Sequence, residues 1–388
     1  MNTPLTDGIH RFVSDVGEGY SHTAMAGDRR VPSNYNVLYH LCLCHALCDR
    51  DEQVSARMQL LAQGLTDGLL TEDDALIGSN HDRDYVRLHL SALFYQVASI
   101  HLPGLPFIGA YDDWDARRLV DVLRELDNSS AWYASNIVMA YAVLMAHNER
   151  RGRNKGCLQA IVGHLGTQQD PATGLWFGTR QPSRINAMAA AFHYLPLFKY
   201  MGVPPRHAGA MFDSIANLAT PEGFFNVPAG YACLDYDGIS SLHYLASNAL
   251  SATESAQRRP VLLRIAAALR ANLLNMQRAD GGFPEAGPSL GVGRDLIRFG
   301  GHVVRNRCFW SAAWNARFMQ KAWTDADRII CANSVKACAA RASESNAFST
   351  WFRYMTLSSC EDVLAQYGTL ASRQTVARKF ALPGLGYL

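Results

Sequence analysis

Helical periodicity of two alternating kinds runs through this chain, and that alternation constrains the fold more than any other feature. Strongly apolar, aromatic segments lie at about 34–49, 83–100, 134–147, 185–200, 235–250, 308–322 and 346–366. Amphipathic segments lie between them, at about 52–66, 115–126, 154–168, 207–219, 258–276 and 325–341. The first kind must be buried on most sides, the second on one side only. Alternating strand patterns of useful length are hard to find, so the chain is expected to be all-α. A buried helix followed by an amphipathic one, about six times over, is what a closed ring of helical hairpins requires. The expected architecture is an (α/α)6 toroid, with inner helices around a central cavity and outer helices shielding them. In that reading residues 1–388 form one domain, with 1–33 an N-terminal extension and 367–388 a C-terminal tail.

At 388 residues, with 48% hydrophobic and 18% charged composition, the chain can bury a core of that size. Its 36 Lys and Arg are interspersed with 34 Asp and Glu, which leaves no basic stripe for a nucleic acid. Residues 1–19 mix charges among apolar positions, unlike a secretory leader. The longest apolar runs, 38–47 and 137–146, fall well short of the ~20 residues of a membrane span. A cytoplasmic protein is expected, with peripheral association as the closest approach to a membrane. Nine cysteines without regular spacing fit reduced thiols better than a disulfide framework.

The connectors repeat. Asp170-Pro-Ala-Thr-Gly174-Leu-Trp176, Thr220-Pro-Glu-Gly223-Phe-Phe225 and Asp280-Gly281-Gly282-Phe283 each set an aromatic after a glycine turn at hairpin-sized spacing. Glycine permits a left-handed helix stop, and the aromatic can fold back on the helix that has just ended.

These residues carry a resemblance. Arg270 to Phe283, with Gln277 and Gly281, resembles the glutamine–aromatic repeat of the terpenoid cyclase and protein prenyltransferase α/α-toroid superfamily, with phenylalanine where tryptophan is usual. Gln169 to Trp176 resembles it with one extra residue, and Ala219 stands where the middle copy would carry glutamine. Leu234-Asp235-Tyr-Asp237-Gly238-Ile-Ser240 looks like the Asp-x-Asp-Asp-Thr-Ala segment of class II terpene cyclases, with Gly238 in place of the third aspartate. The resemblance implies a monodomain cyclase of that class. Such an enzyme protonates a linear isoprenoid or its epoxide, here with Asp237 as the acid and Asp235 as its partner, and needs no cofactor. The third carboxylate's work would fall to another residue, such as Asp84 or Glu285.

The chemistry that implied reaction needs can be sought in the residues themselves. Two aspartates two positions apart near a helix N-terminus can share a proton, because like charges at close range raise one pKa. They can equally serve the helix, Asp235 as its N-cap and Asp237 through the dipole. A carbocation needs aromatic faces and no nucleophile. Trp132, Tyr236, Trp310 and Trp314 are candidates for that lining, and Asn136, Asn186 and His193 for polar contacts to a small-molecule substrate. Polar residues also gather at the expected N-terminal ends of the inner helices. That favours a second reading, a carbohydrate-active toroid with Asp84, His193, Asp237 and His243 as acid or base. A third is a non-catalytic scaffold that binds a partner in its concavity.

Zinc is not expected. Cys233, Asp235 and His243 fall in the prenyltransferase neighbourhood in the wrong order, and Cys42, Cys44, His45 and Cys48 lie in one apolar helix. No phosphate loop, dinucleotide fingerprint or Gly-x-Ser-x-Gly elbow appears. Residues 284–304 read as a long glycine-bearing loop that could lid the cavity.

Overall fold

The computed structural model describes residues 4–15, 23–26, 29–32, 34–47, 111–180, 183–225, 231–285, 292–306, 329–330, 340–341, 344–368 and 370. Over these the chain is all-α. Its helices are α1 (Pro4–Asp15), α2 (Asn34–Ala46), α3 (Ala116–Glu125), α4 (Ala131–Arg150), α5 (Cys157–Gln168), α6 (Arg184–Met201), α7 (Ala208–Ala216), α8 (Ala232–Tyr244), α9 (Ala252–Leu274), α10 (Val292–Asn306) and α11 (Ala347–Gln366). Two short antiparallel ladders accompany them: Thr23–Ala26 with Arg29–Pro32, and Ile329–Ile330 with Ala340–Arg341.

Local chemistry starts the helices where the sequence offers a side-chain acceptor. Asp115, Ser130, Ser183 and Asn346 cap α3, α4, α6 and α11 by accepting the amide three residues on. Ser251 and Glu254 form a capping box on α9. α8 begins differently: Tyr231 occupies the cap position with no side-chain cap, so the expectation of Asp235 as N-cap is corrected. The helix starts three residues earlier, which frees Asp235 for another partner. After Tyr244 the helix continues as a π turn over Leu245–Ala249, closed by the Leu250 N–H on the Leu245 carbonyl at 3.0 Å.

The apolar helices pack side by side in the order α4, α6, α8, α11, α2. Contacts at both ends fix α8 and α11 as parallel: Asp235 meets Arg353 near their N-termini and His243 meets Gln366 near their C-termini. The amphipathic helices lie against this arc, α5 on α4 and α6, α7 on α8, and α9 on α8 and α11. The core follows the arc, with Phe192, Tyr236, Trp351, Phe352, Tyr39 and Phe348 in an unbroken chain of ring contacts across α6, α8, α11 and α2.

Three sequence expectations change. Residues 292–306, expected within a loop, are helical. The segment 325–341 is not one amphipathic helix, because its ends pair as the second ladder. And α8 packs directly on α11, so the apolar segment between them, 308–322, does not separate them; it lies outside the described residues, as do 52–66 and 83–100.

The glycine turns do the expected work. Gly174, Gly223 and Gly281 all take positive φ, at 70°, 88° and 88°, where only glycine is unstrained. Gln169 Nε2 donates to the Gly174 carbonyl at 2.7 Å and Gln277 Nε2 to the Gly281 carbonyl at 2.9 Å. The middle turn, which lacks the glutamine, is held instead by Thr220 Oγ1, which accepts the Phe224 amide, and by Asn272 of α9, whose Nδ2 donates to the Glu222 carbonyl. Trp176 folds back on the helix before it, its Nε1 donating to the Leu165 carbonyl at 2.9 Å.

Candidate active site

Two of the turns deliver the residues that follow them onto an apolar helix. After Gly223, the Phe225 amide donates to Asp235 Oδ1 at 2.8 Å, and its ring lies on Gly238 one turn further along α8. After Gly281, the Phe283 amide donates to Thr350 Oγ1 at 3.0 Å. Two residues on, Glu285 is fastened to α11 twice: Ser349 Oγ donates to its Oε2 at 2.6 Å, and Arg353 Nη2 donates to its backbone carbonyl at 2.7 Å. Ser349 and Arg353 are four apart and so share one face of α11.

Arg353 joins the two halves. Its Nη1 donates to Asp235 Oδ2 in a fully buried ion pair, and its guanidinium stands 6.0 Å from the centre of the Phe224 ring. The buried Arg353 guanidinium thus meets Asp235 and the Glu285 backbone, and a third buried carboxyl, Asp237, lies two residues beyond Asp235 on α8. The three carboxyls are not equivalent. Burial pushes all three above the usual carboxylate range, the expected response to a low-dielectric site. For Asp235 the Arg353 charge and the Phe225 N–H oppose burial, and for Glu285 the Ser349 hydroxyl and Arg353 do. Nothing opposes it for Asp237: no described residue hydrogen-bonds its carboxyl, and the neighbouring Asp235 charge raises it further. Burial and the Asp235 charge therefore favour the neutral form of Asp237, while the Arg353 charge and the Phe225 N–H favour the carboxylate of Asp235.

Several polar atoms here have no hydrogen-bond partner among the described residues: Glu285 Oε1, Arg353 Nε and the Tyr236 hydroxyl. Tyr236 sits edge-on to Phe192 at 5.3 Å and to Trp351 at 6.4 Å, so it belongs to the aromatic chain of the core.

The structure does not gather all the sequence candidates. His243 lies six residues beyond Asp237, roughly 9 Å along the helix axis, and its Nε2 meets Gln366 Oε1 at 2.9 Å at the half-exposed end of α8. His193 lies between α6 and α4, its Nδ1 2.8 Å from Ser135 Oγ, which donates to the Trp132 carbonyl. Asn136 spends its amide on that same carbonyl at 2.9 Å, and the Asn186 backbone N–H takes the Ser183 cap. Trp132 is half-buried near the start of α4. Asp84, Trp310 and Trp314 lie outside the described residues. The residue that sequence reasoning missed is Arg353. Its signal was available: the lone basic residue of its helix, set in the apolar and hydroxyl-bearing first half, where a charge must find a buried partner.

Cys233 is a buried free thiol whose pKa burial and the surrounding carboxyls push up, so it stays protonated. Among the described residues no group of three or more His, Cys, Asp or Glu is arranged to hold a metal ion. No described helix is long and apolar enough to cross a membrane. In comparisons with known proteins, no family model, curated protein or solved structure matches the chain.

Proposed function

We propose that this chain is a class II-like cyclase built on an (α/α)6 toroid, which protonates a linear isoprenoid or its epoxide through Asp237. The observation that carries the proposal is the contrast within the cluster: Asp235 is ion-paired and amide-bonded, whereas Asp237, two residues away and equally buried, has no described hydrogen-bond partner. A carboxyl kept protonated by burial and a like charge still has its proton to give to a substrate that enters the same dry space. The toroid reading is supported by the arc of five apolar helices, to which the apolar segment 83–100 would add the sixth. That segment lies between α2 and α4 in the chain, where a ring would need it.

The chemistry balances without a cofactor. The Asp237 O–H bond breaks and its proton forms a C–H bond at an alkene terminus, or an O–H bond as an epoxide opens, leaving a carbocation and the Asp237 carboxylate. Chain π bonds then close rings onto the cation, and a C–H bond beside the final cation breaks to leave the alkene; that proton passes to water and Asp237 takes one back, so the product is an isomer of the substrate and the acid is restored. The buried rings of Phe192, Tyr236, Trp351 and Phe352, with Tyr236 next to Asp237 in the chain, are the aromatic faces this reading calls on.

The test is mass-spectrometric product analysis after incubating wild type and Asp237→Asn with linear isoprenoids and their epoxides. Isomeric cyclic products that vanish in the variant support the assignment. No product from wild type, or cyclisation that survives Asp237→Asn, removes it.

A further inference from the structure

Among the described helices α10 exposes the most large apolar side chains. Among the described residues five large apolar side chains are exposed, and three of them belong to this one 15-residue helix: Leu296 at 49%, Ile297 at 77% and Val304 at 71%. They share a face. Positions 293, 297, 300 and 304 form a single stripe at helical spacing, with Leu296 one turn before Gly300, and Gly293 and Gly300 are exposed with the apolar residues. Phe299 and Val303, on the adjoining side, are half-buried. The arginine positions 294, 298 and 305 fall on a separate stripe, and Arg294 is exposed. The helix carries three arginines against one aspartate, Asp295.

An apolar stripe left in water is unfavourable by itself. What would cover it has to accept apolar side chains and tolerate, or prefer, a positive flank. A second copy of α10 brings the same positive charge to the contact. A bilayer surface with anionic headgroups meets both demands, because an amphipathic helix lying in the interface buries its apolar face in the acyl boundary while arginines stay at headgroup level. We propose that α10 is an interfacial helix that seats this protein on an anionic bilayer, with Ile297, Val304 and Leu296 entering the acyl boundary. The inference stands on α10 alone and holds whatever reaction the buried carboxyls perform.

The test is co-sedimentation of the full chain with phosphatidylcholine vesicles, with and without phosphatidylserine, over a range of salt. Binding is expected to be stronger to the phosphatidylserine vesicles and to fall as salt rises. Ile297→Glu with Val304→Glu should weaken it by about tenfold or more, and Arg294→Gln by about fivefold. Both changes are at exposed positions, so circular dichroism and thermal midpoints should match wild type. Absence of vesicle binding, or binding that the double variant leaves intact, overturns the proposal. So does a concentration-dependent dimer that the double variant abolishes while vesicles are ignored, which would make a second copy the occupant.

Discussion

Asp235 and Thr350 hold the same station in two hairpins. Each is the fourth residue of its helix, and each accepts the backbone N–H of the aromatic two positions past a positive-φ glycine, Phe225 at 2.8 Å and Phe283 at 3.0 Å. Threonine shows that the station needs only an acceptor, so the charge on Asp235 is surplus to it and is answered by Arg353. In the same register Asp237 corresponds to Phe352 and Gly238 to Arg353. The repeat thus explains Asp235 structurally and leaves at 237 a buried carboxyl that no described residue hydrogen-bonds.

Asp235→Thr separates the two roles. The amide acceptor is retained while Arg353 loses its counter-charge in a fully buried site, which is expected to cost about 3–5 kcal/mol. Arg353→Met added to it should recover most of the loss. Urea denaturation of the two variants measures this, and a single variant as stable as wild type would show that the ion pair does not hold the helices together.

Stability should fall as pH rises. Asp237 keeps its proton in the folded chain and releases it when unfolded, near the ordinary carboxylate value of about 3.9, so its folded pKa is the raised one. Its stabilising contribution is complete below that unfolded value and is lost as pH climbs toward the folded one. Each proton retained on folding gives a slope of about 1.4 kcal/mol per pH unit. Urea midpoints collected from about pH 5 to pH 8 should decline for wild type and decline less for Asp237→Asn, which has no proton to lose.

Gly238 cannot carry a side chain as the site is built. A Cβ there would stand 2.4 Å from the Phe225 ring. Gly238→Ala is expected to lose about 1–3 kcal/mol through overpacking. Gly238→Asp, which completes the aspartate motif on paper, should lose more and gain no activity. Phe225→Leu in the Gly238→Ala background opens the space and should narrow the loss; an additive double-mutant cycle would mean the ring is not the obstacle.

The turns are held by side-chain amides. Gln169 donates to the Gly174 carbonyl and accepts the Arg206 amide at 3.1 Å, Gln277 donates to the Gly281 carbonyl, and Asn272 donates to the Glu222 carbonyl in the middle turn. Alanine at Gln169 removes both of its bonds and is expected to cost about 2 kcal/mol. Thermal melts measure the loss, and a variant that melts with wild type would show that the glutamine does not hold the turn.

The apolar helices were legible because period and apolarity agree along them: 185–200 became Arg184–Met201 and 346–366 became Ala347–Gln366. The glycine turns were legible because few residues but glycine hold a positive φ. Residues 292–306 were misread because Gly293, Gly300 and Gly301 mark a loop in a sequence window, while the 3.6-residue apolar stripe through them prevails in the structure. Arg353 stayed hidden because its partners, Asp235 and Glu285, are 118 and 68 residues away in the chain. Contact at that range is set by packing order and leaves no local pattern.

The π turn after Tyr244 has a consequence for how this chain tolerates changes in length. Its looser winding leaves the Ala246 carbonyl for Ser255 Oγ, which donates to it at 2.8 Å across the bend into α9. Deleting one residue within 245–249 would convert the wide turn into an ordinary one, swinging everything downstream by about 100°. Everything upstream, including the two aspartates, would keep its phase. The helix that carries Arg353 lies downstream, so a change of length at this joint would turn Arg353 away from Asp235 even though α8 itself kept its phase.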